Sequence, residues 1–126
     1  MKNYSRQREA ILNVLRSTDT HPTAAEVYER VREIIPNISL GTVYRNLDAL
    51  SASGDILSIS VGDGNNHFDG DNSHHLHLNC RFCGKIVDAH FDKTTLDTVA
   101  QQKGFTPETL VCVVYGICSD CKNQNN

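Results

Sequence analysis

The sequence predicts an α+β fold in two small domains: three helices with a two-stranded wing over residues 1–69, and a small α/β unit over residues 70–126. Three observations carry it. Apolar residues recur at helical spacing in the first 54 residues, the pattern then alternates as in strands, and two CxxC pairs, Cys80/Cys83 and Cys118/Cys121, bracket the C-terminal part.

Between about residues 5 and 17, Ala10, Ile11, Val14 and Leu15 share one helical face, with Arg6, Arg8 and Arg16 left for the wet side. Thr23 followed by Glu26 forms a capping box. It opens a second helix that turns Ala24, Val27, Val31 and Ile34 or Ile35 inward until Pro36 stops it. Ser39 caps a third helix with Val43, Leu47 and Leu50 inward and Gly54 at its end. Residues 56–61 alternate, GDGNN turns the chain, and His67 to Asp69 return as the second strand of a hairpin. This is the element order of a winged helix-turn-helix, whose third helix enters the major groove of double-stranded DNA. That helix exposes Thr42, Tyr44, Arg45 and Asp48, types able to contact phosphates or base edges, although an ordinary solvated face carries the same types.

Farther on, residues 75–80 and 85–91 read as strands joined across the first CxxC, 93–103 as a helix ending at Gly104, and LVCVVYG as a strand delivering the second CxxC. Small units of this kind often dimerise, and the closing KNQNN is expected to be disordered.

With 12 basic and 15 acidic residues, the net charge of -3 gives no electrostatic signal for nucleic acid. The N-terminus MKNYSRQREAILNVL lacks the apolar run of a signal peptide, so reduced cysteines and a cytoplasmic location are expected. No segment has the apolar length to cross a bilayer, which argues against a membrane role.

Four thiolates in two CxxC loops suit one tetrahedral structural zinc on Cys80, Cys83, Cys118 and Cys121. Free thiols or a redox pair are the alternative. Cys112, in the apolar strand, reads as core. Ahead of the first pair stand His67, Asp69, His74, His75 and His77, and imidazoles with carboxylates suit a harder, exchangeable ion such as Fe(II) or Mn(II). If Cys80 lies opposite Lys85 across the knuckle, His77 faces Asp88 and His75 faces His90, on one side of the sheet. Asp69 and His21, from the other domain, are candidates to complete a five-coordinate shell. His21 alone reads as a loop histidine, His67 and His74 as surface residues of the turn, and His90 as an ambiguous neighbour.

The runs SRQREAIL, HPTAAEVY, SLGTVYRNL, HFD, HHLHLNCRFCGKIVD and YGICSDC, in this order over essentially the whole chain, resemble the ferric uptake regulator family. The resemblance implies a homodimeric, metal-dependent DNA-binding transcriptional repressor of palindromic operators, with a winged helix-turn-helix and a C-terminal dimerisation domain. It puts structural zinc on the four cysteines and regulatory metal on His21, Asp69, His75, His77 and Asp88, and it argues against His90. Iron-sensing members generally carry glutamates where Asp69 and Asp88 stand, whereas the peroxide-sensing branch uses aspartates. Leu76 and Ile117 stand where many iron sensors hold extra ligands, which again implies the peroxide branch. There Fe(II) reacts with hydrogen peroxide and a ligand histidine is oxidised, at positions matching His21 and His75, while Mn(II) binds without this reaction. Three departures stand out: only four residues precede Ser5, SRQR replaces the commoner TPQR, and Arg45 after Tyr44 looks more like an iron sensor.

The competing classes are iron-responsive uptake control, an enzyme with catalytic zinc, and a zinc-ribbon carrier or interaction module. The enzyme lacks a supporting motif such as HExxH, and the zinc-ribbon reading leaves the three helices and wing unexplained.

Overall fold

The computed structural model describes residues 2–73, 75–108 and 110–124. In chain order the elements are α1 (Lys2–Arg16), α2 (Ala24–Val31), α3 (Leu40–Ala52), β1 (Leu57–Ser60), β2 (Asn66–Asp69), β3 (His75–Cys80), β4 (Ile86–His90), α4 (Lys93–Gln102), β5 (Val113–Gly116) and α5 (Ser119–Gln124). They divide into two compact units, Met1–Asn72 and Ser73–Asn126.

In the first unit the helical stripes meet. Ile11, Leu15, Val27, Val31, Val43 and Leu47 are fully buried, and Ile56 and Phe68 from the hairpin close the same core. Thr23 and Glu26 form the expected reciprocal cap of α2. Ser39 caps α3 through the Thr42 amide. β1 and β2 pair antiparallel, Leu57 opposite Asp69 through Ser60 opposite Asn66. The first unit extends to Asn72 rather than Asp69 because two contacts hold the next residues. Asn72 donates to the Gly54 carbonyl at 2.9 Å, and Gly70 lies against the backbone of Leu15 and Arg16, where a Cβ would fall 2.8 Å from backbone atoms. Gly70→Ala is therefore expected to lower the stability of this unit by about 1–3 kcal/mol, read as a shifted urea midpoint at constant slope.

The second unit is a three-stranded sheet ordered β4-β3-β5, with β3 antiparallel to β4 and parallel to β5. The expected register holds: His75 faces His90, His77 faces Asp88, and the Cys80 amide donates to the Lys85 carbonyl at 3.1 Å. Among the described residues, its apolar side chains do not form a buried cluster of their own. Every buried member of the hydrophobic cluster belongs to the first unit, whereas Leu78, Val87, Val99, Phe105 and Val114 are exposed.

Several element boundaries differ from expectation, and α1 begins at Lys2 rather than near Ser5. α2 ends at Val31, and residues 32–37 tighten into turns that bury Ile35 and expose Ile34, because the residue before Pro36 disfavours helical backbone. β5 is only Val113–Gly116, since β3 offers it partners only from His77 to Cys80. Lys122, Asn123 and Gln124 continue α5 instead of fraying; residues 125 and 126 lie outside the described residues, as does His74. No helix among the described residues is long and apolar enough to cross a membrane.

Candidate metal centres

The knuckle after Cys80 closes by the Gly84 amide donating to the Cys80 carbonyl at 2.9 Å, with Gly84 at φ 80°. The Arg81 amide donates to the Gly116 carbonyl at 2.8 Å and so ties the two CxxC arms together. One sulfur from each of Cys80, Cys83, Cys118 and Cys121 lies within 4.8 Å of the others, and the Cys83 and Cys118 sulfurs are 3.8 Å apart. Thiolates about 2.3 Å from one tetrahedral zinc stand about 3.8 Å from each other, so the donor set and spacing fit that ion. The Cys118 amide donates to the Cys80 sulfur at 3.4 Å. This hydrogen bond, with a second from the Cys83 amide, holds the Cys80 thiol down at about 5, whereas hydrogen bonding to Cys118, then burial, pushes Cys121 up to about 12. Zinc binds these sulfurs as thiolates, and the Cys121 thiol, pushed up in this way, holds its proton more tightly than an ordinary cysteine does. Zinc must displace that proton, so apparent zinc affinity is expected to rise with pH. Chelator competition between about pH 6 and about pH 8 measures the slope, and a flat profile would contradict it.

Cys112, half-buried just before β5, is not in this cluster, and its carbonyl accepts from the His77 amide at 3.0 Å.

The second donor set in this unit follows from strand alternation. His75 and His77 point to the same buried side of β3, and Asp88 on β4 faces His77. Their donor atoms form a small triangle: His75 Nε2 to His77 Nε2 is 3.0 Å, and each lies 3.3 Å from Asp88 Oδ1. Donors about 2.1 Å from one ion at right angles would stand about 3.0 Å apart, and two imidazoles with one carboxylate on one face suit Fe(II) or Mn(II). His75 Nδ1 donates to the Ser73 carbonyl at 2.8 Å, which fixes the tautomer and leaves the Nε2 lone pair for a metal. His90, the neighbour across from His75, stacks on its ring at 5.0 Å.

The first unit contributes its own pair. His21 and Asp69 are buried, with His21 Nε2 3.3 Å from Asp69 Oδ2. Asp69 Oδ1 is held by the Asp71 amide at 2.9 Å, which leaves Oδ2 toward the imidazole. His21 adopts φ 54° immediately before Pro22, left-handed backbone that costs a non-glycine residue about 1–3 kcal/mol unless neighbours hold it. They do: the Phe68 amide donates to the Pro22 carbonyl at 2.9 Å, Thr23 and His67 form a β-bridge, and His67 Nδ1 donates to the His21 carbonyl at 2.8 Å.

Residues 2–115 match the model of the ferric uptake regulator family. The chain belongs to that family. Within it, the chain is 37% identical over 124 residues to the peroxide-responsive repressor PerR of Staphylococcus epidermidis, covering 95% of this chain and 81% of that protein. It is 38% identical over 122 residues to that of Staphylococcus saprophyticus, covering 94% and 81%. Its fold is similar to that of the Campylobacter jejuni peroxide stress regulator, with a TM-score of 0.83 at 29% identity over 94% of this chain and 91% of that one.

In this ferric uptake regulator family member, the outward face of α3 presents Tyr44 and Arg45 to solvent. Thr42 is half-buried, and its hydroxyl accepts from Arg45 Nη2 at 3.0 Å and shares a hydrogen bond with Ser39 Oγ at 2.8 Å. Asn46, on the buried face of α3, accepts from Arg8 of α1 at 3.3 Å and donates to the Thr42 carbonyl at 2.9 Å. Three contributors to the sites have no plain sequence signal. They are Asn46, Ser73, which acts through its carbonyl, and His67, which is half-buried with both ring nitrogens bonded rather than a free surface residue.

Proposed function

We infer that the chain is a metal-dependent DNA-binding transcriptional repressor that senses peroxide, with structural zinc on Cys80, Cys83, Cys118 and Cys121 and regulatory Fe(II) or Mn(II) at a His/Asp site. The observation that carries this reading is the donor triangle of His75, His77 and Asp88 in a chain with aspartate at both carboxylate positions. Its kinship to peroxide-responsive repressors agrees. We propose that His21 and Asp69 complete a five-ligand shell with that triangle. Ligation by residues of both units fixes the orientation of the recognition helices, and loss of any ligand releases it. When bound, Fe(II) supplies the reducing electron that activates hydrogen peroxide beside an imidazole, which Mn(II) does not.

The chain's own residues do the rest. Asp88 and Asp69 balance the ion's charge, the Ser73 carbonyl fixes the His75 tautomer, and His21 and His75 are the rings proposed to take up oxygen. Tyr44 and Arg45, with Thr42 bracing Arg45, are proposed to contact a palindromic operator on double-stranded DNA. A homodimer is supported by the row Val87, Leu78 and Val114, which are register neighbours across three strands and exposed in a single chain. The proposed location is the cytoplasm, where thiols stay reduced.

Operator binding by the zinc-loaded dimer, measured with Fe(II) and with Mn(II) before and after low-dose peroxide, tests this reading. Loss of binding only with Fe(II), with one oxygen added to a peptide containing His21 or His75, is expected. Iron-dependent binding that peroxide leaves untouched would instead make the protein an iron-responsive regulator.

A further inference from the structure

We propose that His67, which is not itself a ligand, is a positioning residue for the regulatory site: it bridges Asp63 in the wing turn to the backbone of His21 and fixes the loop conformation that aims the His21 imidazole at Asp69. This rests on the reading of His21 and Asp69 as metal ligands given above.

The geometry lies within the first unit. His67 is central to β2, one residue from Phe68, whose amide holds the Pro22 carbonyl. Its ring reaches in two directions. Nδ1 donates to the His21 carbonyl at 2.8 Å, and Nε2 meets Asp63 Oδ2 at 2.7 Å. Asp63 is itself braced, since its Oδ1 accepts from the Asn65 amide at 3.1 Å within the same turn. The isolated Thr23 to His67 bridge and the Phe68 to Pro22 hydrogen bond attach Pro22 and Thr23 to β2.

His21 needs this hold more than its neighbours do. It is the one described non-glycine residue with positive φ, and it precedes a proline, which pushes a residue toward extended backbone. A carbonyl fixed at 2.8 Å restricts rotation of the peptide that follows His21 and so restricts where its Cβ points. Metal ligands are ordinarily oriented by outer partners on the far ring nitrogen, as Ser73 does for His75. For His21 an orienting contact acts on the main chain, and it starts in the wing.

The test uses the full zinc-loaded chain and Mn(II), with Co(II) absorption as a report on ligand geometry. His67→Leu removes both hydrogen bonds and is expected to weaken Mn(II) binding about 10–100-fold and to alter the Co(II) spectrum. His67→Asn places an amide N–H near the position of Nδ1 and is expected to restore most of the affinity. Asp63→Ala, which leaves the Nδ1 bond in place, is expected to give a smaller loss. Mn(II) binding by His67→Leu equal to that of the parent would overturn the proposal. So would a loss that parallels a fall in the thermal stability of the first unit and is not rescued by asparagine. Failure of the underlying metal reading is distinguishable, because His21→Ala would then leave Mn(II) binding unchanged as well.

Discussion

Replacing Cys121 with serine is expected to cost the C-terminal unit its zinc and, with it, its folded state. The reason is the distribution of apolar burial. The 14 buried members of the hydrophobic cluster all lie between Ala10 and Phe68, whereas α4 buries no residue and the sheet exposes Leu78, Val87 and Val114. Within a single chain, a unit built this way depends on its ion even where a partner covers the row Leu78, Val87 and Val114. Structural zinc contributes on the order of 10 kcal/mol in small domains, as much as the whole stability of an ordinary one. A full loss of the transition is therefore expected rather than a shift of a few degrees. The first unit should survive, because its core draws on three helices and a hairpin of its own. Amide hydrogen exchange on the Cys121→Ser chain reads both units at once: protection lost across residues 75–116 and kept in α1, α2 and α3. Retained protection of β3 after stoichiometric zinc removal would show that the sheet does not need the metal.

Asp88→Ala is expected to abolish metal-dependent repression while leaving zinc in place. Its Oδ1 lies 3.3 Å from both His75 Nε2 and His77 Nε2, so its loss leaves the two imidazoles to face a divalent ion with one carboxylate fewer. Losing an orienting partner alone costs 10- to 100-fold in metal affinity, so removing Asp88, proposed above as a direct ligand, is expected to cost on the order of 100-fold or more. A switch needs about a 10,000-fold difference in affinity between its two states to pass from nearly off to nearly on, so a 100-fold loss removes about half of that range in free energy and leaves the switch unable to reach its on state. Mn(II) titration followed by electron paramagnetic resonance, alongside operator binding, measures both effects. Asp88→Glu keeps the charge and is expected to retain Mn(II), which separates ligation from packing. Full operator affinity in Asp88→Ala with added Mn(II) would remove Asp88 from the shell.

Much of this was legible before any coordinates. The Thr23 to Glu26 cap, the inward faces of α1 and α3, and the pairing of His77 with Asp88 all follow from spacings of three, four and two residues. The cysteine cluster was legible because two CxxC loops in one chain are the usual ligand pattern of a single tetrahedral zinc. The early end of α2 is a local effect of Pro36 that reaches further back than expected. The shortness of β5 was decided by the strand beside it, which offers register only from His77 to Cys80. His67 was misread in the same way: as a residue type in a polar turn it looks solvated, yet its ring spans two loops separated by 42 residues, Asp63 and His21.

Periodicity and local spacing were enough to specify the two-part α+β plan, the residues of the four-cysteine cage and the family. Tertiary structure alone decided which atoms meet at 3.0–3.3 Å in the His75, His77 and Asp88 triangle, and that His21 is held in left-handed backbone by a hairpin far along the chain. Local propensity places a side chain on a face. Only packing between distant segments fixes its direction to the few tenths of an ångström that distinguish a ligand from a neighbour.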